Sequence, residues 1–136
     1  SVDVLDVFLP EDTQLGGSYT HVLVYTQSKL VEQTTPVALE FFDAYASVSN
    51  ITFVDKDLDD RQLGGTVEWV LPDSIDRVSL YHVYLAEGTA GRGRSQIGAP
   101  VGRGAGSTVL APESPLGAFE HVLVYTKSAL VEQTTP

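Results

Sequence analysis

The chain has 136 residues, 18 acidic against 8 basic side chains, a formal net charge of −10, and 43% hydrophobic content. That length is ordinary for one domain, and the apolar fraction is enough to bury a core. An acidic surface repels phosphate backbones and anionic lipid, so neither nucleic acid nor a charged bilayer is expected as a partner. No apolar run approaches about 18 residues, so no membrane insertion is expected within this segment. The absence of Cys excludes a disulfide framework, a thiol nucleophile and a thiolate metal site.

In chain order, β-branched and aromatic residues cluster in short runs bounded by Gly, Pro, Asp and Ser, whereas helical periodicity is poor. The runs predict strands over 4–9, 19–26, 36–42, 51–55, 65–71, 78–86, about 94–97, 107–111 and 119–126. In Thr66-Val67-Glu68-Trp69-Val70 the alternation places Val67 and Trp69 on one face and Glu68 on the other. His121-Val122-Leu123-Val124-Tyr125 is apolar on both faces, as in a strand flanked by neighbours. Short strands at this spacing predict an all-β fold, an antiparallel β-sandwich.

The chain also repeats itself. Residues 21–36 and 121–136 match at an offset of 100, differing only at Gln27/Lys127 and Lys29/Ala129. The match continues loosely upstream, with Val7-Phe8-Leu9-Pro10-Glu11 against Val109-Leu110-Ala111-Pro112-Glu113. Self-similarity of this kind predicts a tandem array with a period near 100 residues. On that reading, residues 1–45 are the C-terminal part of one repeat, its last three strands. Residues 46–136 are then the next repeat without its final strand, the counterpart of residues 37–42. Chain continuing beyond Pro136 would supply that strand most simply, and donation by a neighbouring copy is the alternative.

Thr66-Val67-Glu68-Trp69-Val70-Leu71-Pro72, followed by Tyr81-His82-Val83-Tyr84-Leu85, resembles the B and C strands of fibronectin type III domains. Residues 116–125 then look like the F strand and its approach. The resemblance spans about 90 residues and implies a fibronectin type III-like sandwich with Trp69, Tyr81 and Val83 as core markers. It also implies a large repetitive protein of extracellular or cell-surface location. There is no Arg-Gly-Asp, so the adhesion tripeptide of some relatives does not carry over.

Four residue groups bear on chemistry. His21, His121 and His82 stand within predicted strands without a nucleophile elbow, which points to structural roles and no enzyme activity. Asp55, Asp57, Asp59 and Asp60, joined by Asp43, form an acidic set able in principle to wrap a Ca²⁺, which wants six to eight oxygens. The EF-hand spacing is missing, and a solvated turn is the plainer reading. No other cofactor is expected. Asn50-Ile51-Thr52 is a glycosylation sequon and holds the chain's only Asn. Gly91-Arg92-Gly93-Arg94 and Gly102-Arg103-Gly104 read as flexible loops whose Arg side chains meet acidic patches on a neighbouring module.

The expected function is therefore structural, a spacer or assembly unit whose partners are adjacent copies of the same repeat, in cis or as a homopolymer. Phe41, Phe42 and Tyr45 are expected to pack between repeats and limit bending. The alternative is an adhesin-type module recognising a protein or glycan through its loops. Loops that serve recognition usually diverge between copies, whereas the 26–34 and 126–134 loops barely do.

Overall fold

A computed structural model describes residues 6–136 and contains strands but no helix among them. It divides into two compact units, Ser1–Ala44 and Tyr45–Pro136.

In the first unit, β1 (His21–Val24) pairs antiparallel with β2 (Val37–Glu40), placing His21 opposite Glu40 and Val24 opposite Val37. All eight residues of the hairpin are exposed, because two strands have only one another to cover their apolar side chains. Of the strand predicted over 4–9, Val4 and Leu5 lie outside the described residues, and 6–9 form no strand.

The second unit contains β3 (Ser49–Phe53), β4 (Gln62–Val70), β5 (Leu80–Ala86), β6 (Ser95–Gln96), β7 (Val101–Gly102), β8 (Ser107–Pro115) and β9 (His121–Lys127). One antiparallel sheet has the order β3-β4-β8. In the other, β5 is central, with β6 and β7 along one edge and β9 along the opposite edge. A single core gathers Val67 and Trp69 of β4, Leu110 of β8, Tyr81, Val83 and Leu85 of β5, and Val124 of β9. Side chains from both sheets therefore share one interior, a β-sandwich-like arrangement. Trp69 meets Tyr81 edge to face at 5.7 Å between ring centroids, the geometry that ring quadrupoles favour.

Two features depart from the sequence reading. Strand β7 was not predicted, since Val101-Gly102 carries too little apolar pattern to announce a strand. Strand β4 begins at Gln62, ahead of the run predicted over 65–71, and Gly64 and Gly65 lie inside it at a break in register with β8. A side chain at Gly64 would strike the Pro112 backbone 2.8 Å away, so the glycine permits the two strands to close here. No helix among the described residues is long and apolar enough to cross a membrane.

Candidate functional site

Strand β5 alternates between two environments. Tyr81, Val83 and Leu85 enter the sandwich core, so His82, Tyr84 and Ala86 project to the outer face of the sheet. There Ala86 joins Leu123 and Tyr125 of β9 in a second, smaller buried cluster, with Tyr84 packed against it. An outward face would normally be polar, yet Tyr125 is only 1% exposed. The loop between β5 and β6 accounts for this, since it folds back over that face. Arg94 lays its guanidinium 4.5 Å from the Tyr84 ring centroid and 4.4 Å from that of Tyr125. Gly91, at φ +84°, passes so close to the Tyr125 hydroxyl that any β-carbon would collide with it.

The segment after β9 completes the cluster. Ser128 folds it into a tight turn: its Oγ accepts the Leu130 and Val131 N–H groups at 3.0 and 3.2 Å, and its own N–H donates to the Val131 carbonyl at 3.0 Å. The returning chain bridges Glu132 to Lys127, and the Gln133 N–H donates to the Thr126 carbonyl at 2.9 Å. Glu132 is thereby delivered to the outer face of β5. Its Oε2 accepts from His82 Nδ1 at 2.5 Å and from the Tyr84 hydroxyl at 2.9 Å, while Oε1 pairs with Arg94 Nη2 at 2.9 Å. His82 and Glu132 expose only 14% and 16% of their side chains. Burial pushes the Glu132 carboxyl up, but the Tyr84 and His82 hydrogen bonds and the Arg94 charge outweigh it and hold the carboxyl below its usual range. Burial, and then the Glu132 carboxylate, raise the Tyr84 phenol.

This cluster is a clamp. It ties the β5–β6 loop, the sheet and the post-β9 turn together through one anion. Both carboxylate oxygens of Glu132 have partners. The groove lined by Leu85, Ile97, Leu110 and Phe119, about 240 Å³, has no titratable lining residue. The loop read as flexible is thus held, and two of its Arg side chains meet carboxylates of their own unit: Arg94 on Glu132, and Arg92 on Glu87 at 3.6 Å. The β5–β9 pairing and the turn that bring His82 to Glu132 are long-range in sequence, and no motif announces them.

The acidic set is arranged for turn-making. Asp55 Oδ1 accepts the Asp57 and Gly64 N–H groups at 3.1 and 3.0 Å. Asp57 Oδ1 takes the Asp59 N–H at 3.2 Å, and its Oδ2 takes the Glu113 N–H at 2.6 Å, reaching across to β8. Among the described residues no three His, Asp or Glu side chains gather as a metal-ligand set. Asp43 belongs to the first unit, the other four to the second.

Asn50 is exposed in β3 at φ +48°, where β3 and β4 shift register between Ser49 and Thr52. Asn tolerates this left-handed conformation better than most residues, which gives the chain's only Asn a backbone role as well as a sequon. Trp69, Tyr81 and Val83 lie in the core at 5%, 0% and 1% exposure. Phe41 is half-buried in the first unit, whereas Phe42 and Tyr45 are exposed. His21 is exposed, with Nδ1 2.8 Å from the Thr20 hydroxyl, and His121 is half-buried at the start of β9.

Compared with protein-family models, with curated proteins and with solved structures, the chain matches none.

Proposed function

We propose that this chain is a structural segment of a tandem array of fibronectin type III-like sandwiches, serving as a spacer or assembly unit of an extracellular or cell-surface protein. The observation that carries the reading is a recurrence at two levels. Residues 21–36 and 121–136 share all but two side chains, and the turn is built with the same bonds in each unit. Ser28 N–H meets the Val31 carbonyl at 3.0 Å as Ser128 meets Val131, and Gln33 meets Thr26 at 2.9 Å as Gln133 meets Thr126. Gln27 bridges Glu32 as Lys127 bridges Glu132. A local structure reproduced with its sequence, 100 residues apart, is what a repeated module requires.

The sheet order β3-β4-β8 opposite β6/β7, β5 and β9, around Trp69, supports the fibronectin type III-like assignment, with β4, β5 and β9 in the places of strands B, C and F. Phe42 and Tyr45, exposed near the boundary between the units, are suited to packing between successive repeats. An exposed sequon at Asn50 suits a secreted protein. A net charge of −10 per segment accumulates along an array and favours an extended, soluble chain.

The test is the mass of the native protein. An antibody raised against residues 121–136 should detect species far larger than 14.6 kDa in its source. A single species at that mass would overturn the array.

A further inference from the structure

The sequon Asn50-Ile51-Thr52 falls inside a strand, and the pairing of that strand shows how it is presented. Ser49 pairs with Val70 and Thr52 with Glu68, so three steps along β3 match two along β4 and one residue is extra. Asn50 stands in that bulge at φ +48°. Val67 and Trp69 of β4 enter the core, which leaves Glu68 and Val70 on the outer face of the sheet with Ser49 and Thr52 beside them. All three sequon residues are exposed, as is Ser49 before them.

The bulge alone does not demand asparagine. Glycine adopts a left-handed backbone readily, and Arg61 and Glu113 of this unit hold φ of 63° and 64° without a carboxamide. Nor does β3 demand a hydroxyl two residues on, where any β-branched side chain suits a strand. An amide and a hydroxyl at this spacing, with a residue other than Pro between them, are what N-glycosylation requires. The apolar neighbours fit the same use. Ile51 and Val70 are 37% and 52% exposed beside the site, and the C–H face of a first sugar resting on them would withdraw apolar area from water.

We propose that Asn50 carries an N-linked oligosaccharide that shields the outer face of the β3-β4-β8 sheet. The donor is an oligosaccharide carried on a lipid diphosphate. The Asn50 amide nitrogen attacks the anomeric carbon, the C–N bond forms as the C–O bond to diphosphate breaks, and the nitrogen gives up one proton. The lipid diphosphate leaves with the electron pair of the broken bond, and nothing is oxidised or reduced. A bulky, hydrated group beside Val70 keeps this face in water, so contacts between copies use other surfaces. The proposal rests on the extracellular or cell-surface reading and names a modification that such a location would add.

The full chain, sent through the secretory pathway of a cultured eukaryotic cell behind a cleavable leader, should emerge heavier by one oligosaccharide. An amidase specific for N-linked glycans should remove the added mass and convert Asn50 to aspartate. Thr52→Val, which keeps Asn50 and the strand, should abolish the addition, whereas Thr52→Ser should keep it. Trp69 fluorescence checks that each variant is folded. The shield has its own readout in a chain without native Cys. A Val70→Cys thiol should react with a bulky maleimide several-fold more slowly before the amidase treatment than after it. A folded parent chain secreted without added mass overturns the site, and so does an addition that survives Thr52→Val. Equal maleimide rates overturn the shield. On native material, a bare Asn50 in secreted protein overturns the glycan and leaves the location standing, whereas native protein confined to the cytosol overturns both. None of these outcomes touches the array, which stands or falls on native mass.

Discussion

Replacing Glu132 by Gln keeps the shape of the side chain and removes only the anion that three groups share. The carboxylate holds Arg94 at 2.9 Å, Tyr84 at 2.9 Å and His82 at 2.5 Å. A hydrogen bond to a charged group contributes about 1.5–3 kcal/mol, and the three are not additive. Arg94 is 37% exposed, so solvent screens its share toward the surface-pair value of about 0–1 kcal/mol. The amide still accepts from Tyr84, but its NH₂ group faces a second donor in place of an ion pair. The expected loss is about 2–3 kcal/mol, which for a unit of this size lowers Tm by about 10–20 °C.

The assay is urea denaturation followed by the fluorescence of Trp69, the chain's only Trp, which sits in the second unit's core and reports on that unit alone. The acid dependence gives an independent reading. The folded state holds the carboxyl below its ordinary value of 4.5, so the stabilisation is complete above that pH and is lost as pH falls through the lowered folded value. The parent chain should lose stability over that acid window, and Glu132→Gln should show a correspondingly shallower slope. Arg94→Met, which keeps apolar cover on Tyr84 and Tyr125, should couple to Glu132→Gln by about 1 kcal/mol in a double-mutant cycle. A Glu132→Gln chain within about 0.5 kcal/mol of the parent, with an unchanged acid slope, would refute the clamp.

Gly91→Ala combines a left-handed backbone with a collision at the Tyr125 hydroxyl. It should cost about 2–4 kcal/mol by the same fluorescence assay, and a loss below about 0.5 kcal/mol would show that the loop does not cover Tyr125. At Asn50, Gly should be tolerated, whereas Ala should cost about 1–2 kcal/mol in unglycosylated protein. Equal stability of the two variants would contradict the left-handed conformation. Asp57→Ala removes acceptors for the Asp59 and Glu113 N–H groups. It should destabilise the second unit by about 1–3 kcal/mol in the presence of a chelator. A loss seen only when Ca²⁺ is present would instead assign the side chain to a metal.

The all-β architecture was legible because strand formation here is written in local pattern. Six of the second unit's seven strands needed little beyond β-branched runs and turn residues between them, and only β7, two residues long, was missed. The repeat was equally legible, being identity of sequence. The clamp was not. His82 was placed correctly on a strand, but the residue that gives it a role lies 50 positions away, beyond a turn whose return path depends on Ser128 hydrogen bonds. Gly91 and Arg94 looked like a flexible loop because composition reports conformational freedom, whereas cover over Tyr125 exists only once β5 and β9 are side by side. The start of β4 at Gln62 was missed for a related reason. Glycine marks turns and close strand approaches alike, and only the neighbouring Pro112 backbone distinguishes them.

The two copies of the 16-residue segment separate what is local in this fold from what is not. The turn keeps the same hydrogen bonds at Ser28 and Ser128, although Val24 stands in water and Val124 lies in a core. Its geometry is therefore set by its own residues. Glu32 and Glu132 occupy the same place in that turn, yet Glu32 is exposed, while Glu132 is enclosed by His82, Tyr84 and Arg94. The carboxylate gains its role from β5, whose outer face supplies His82 and Tyr84. On this argument the clamp is what holds the post-β9 segment against the outer face of β5.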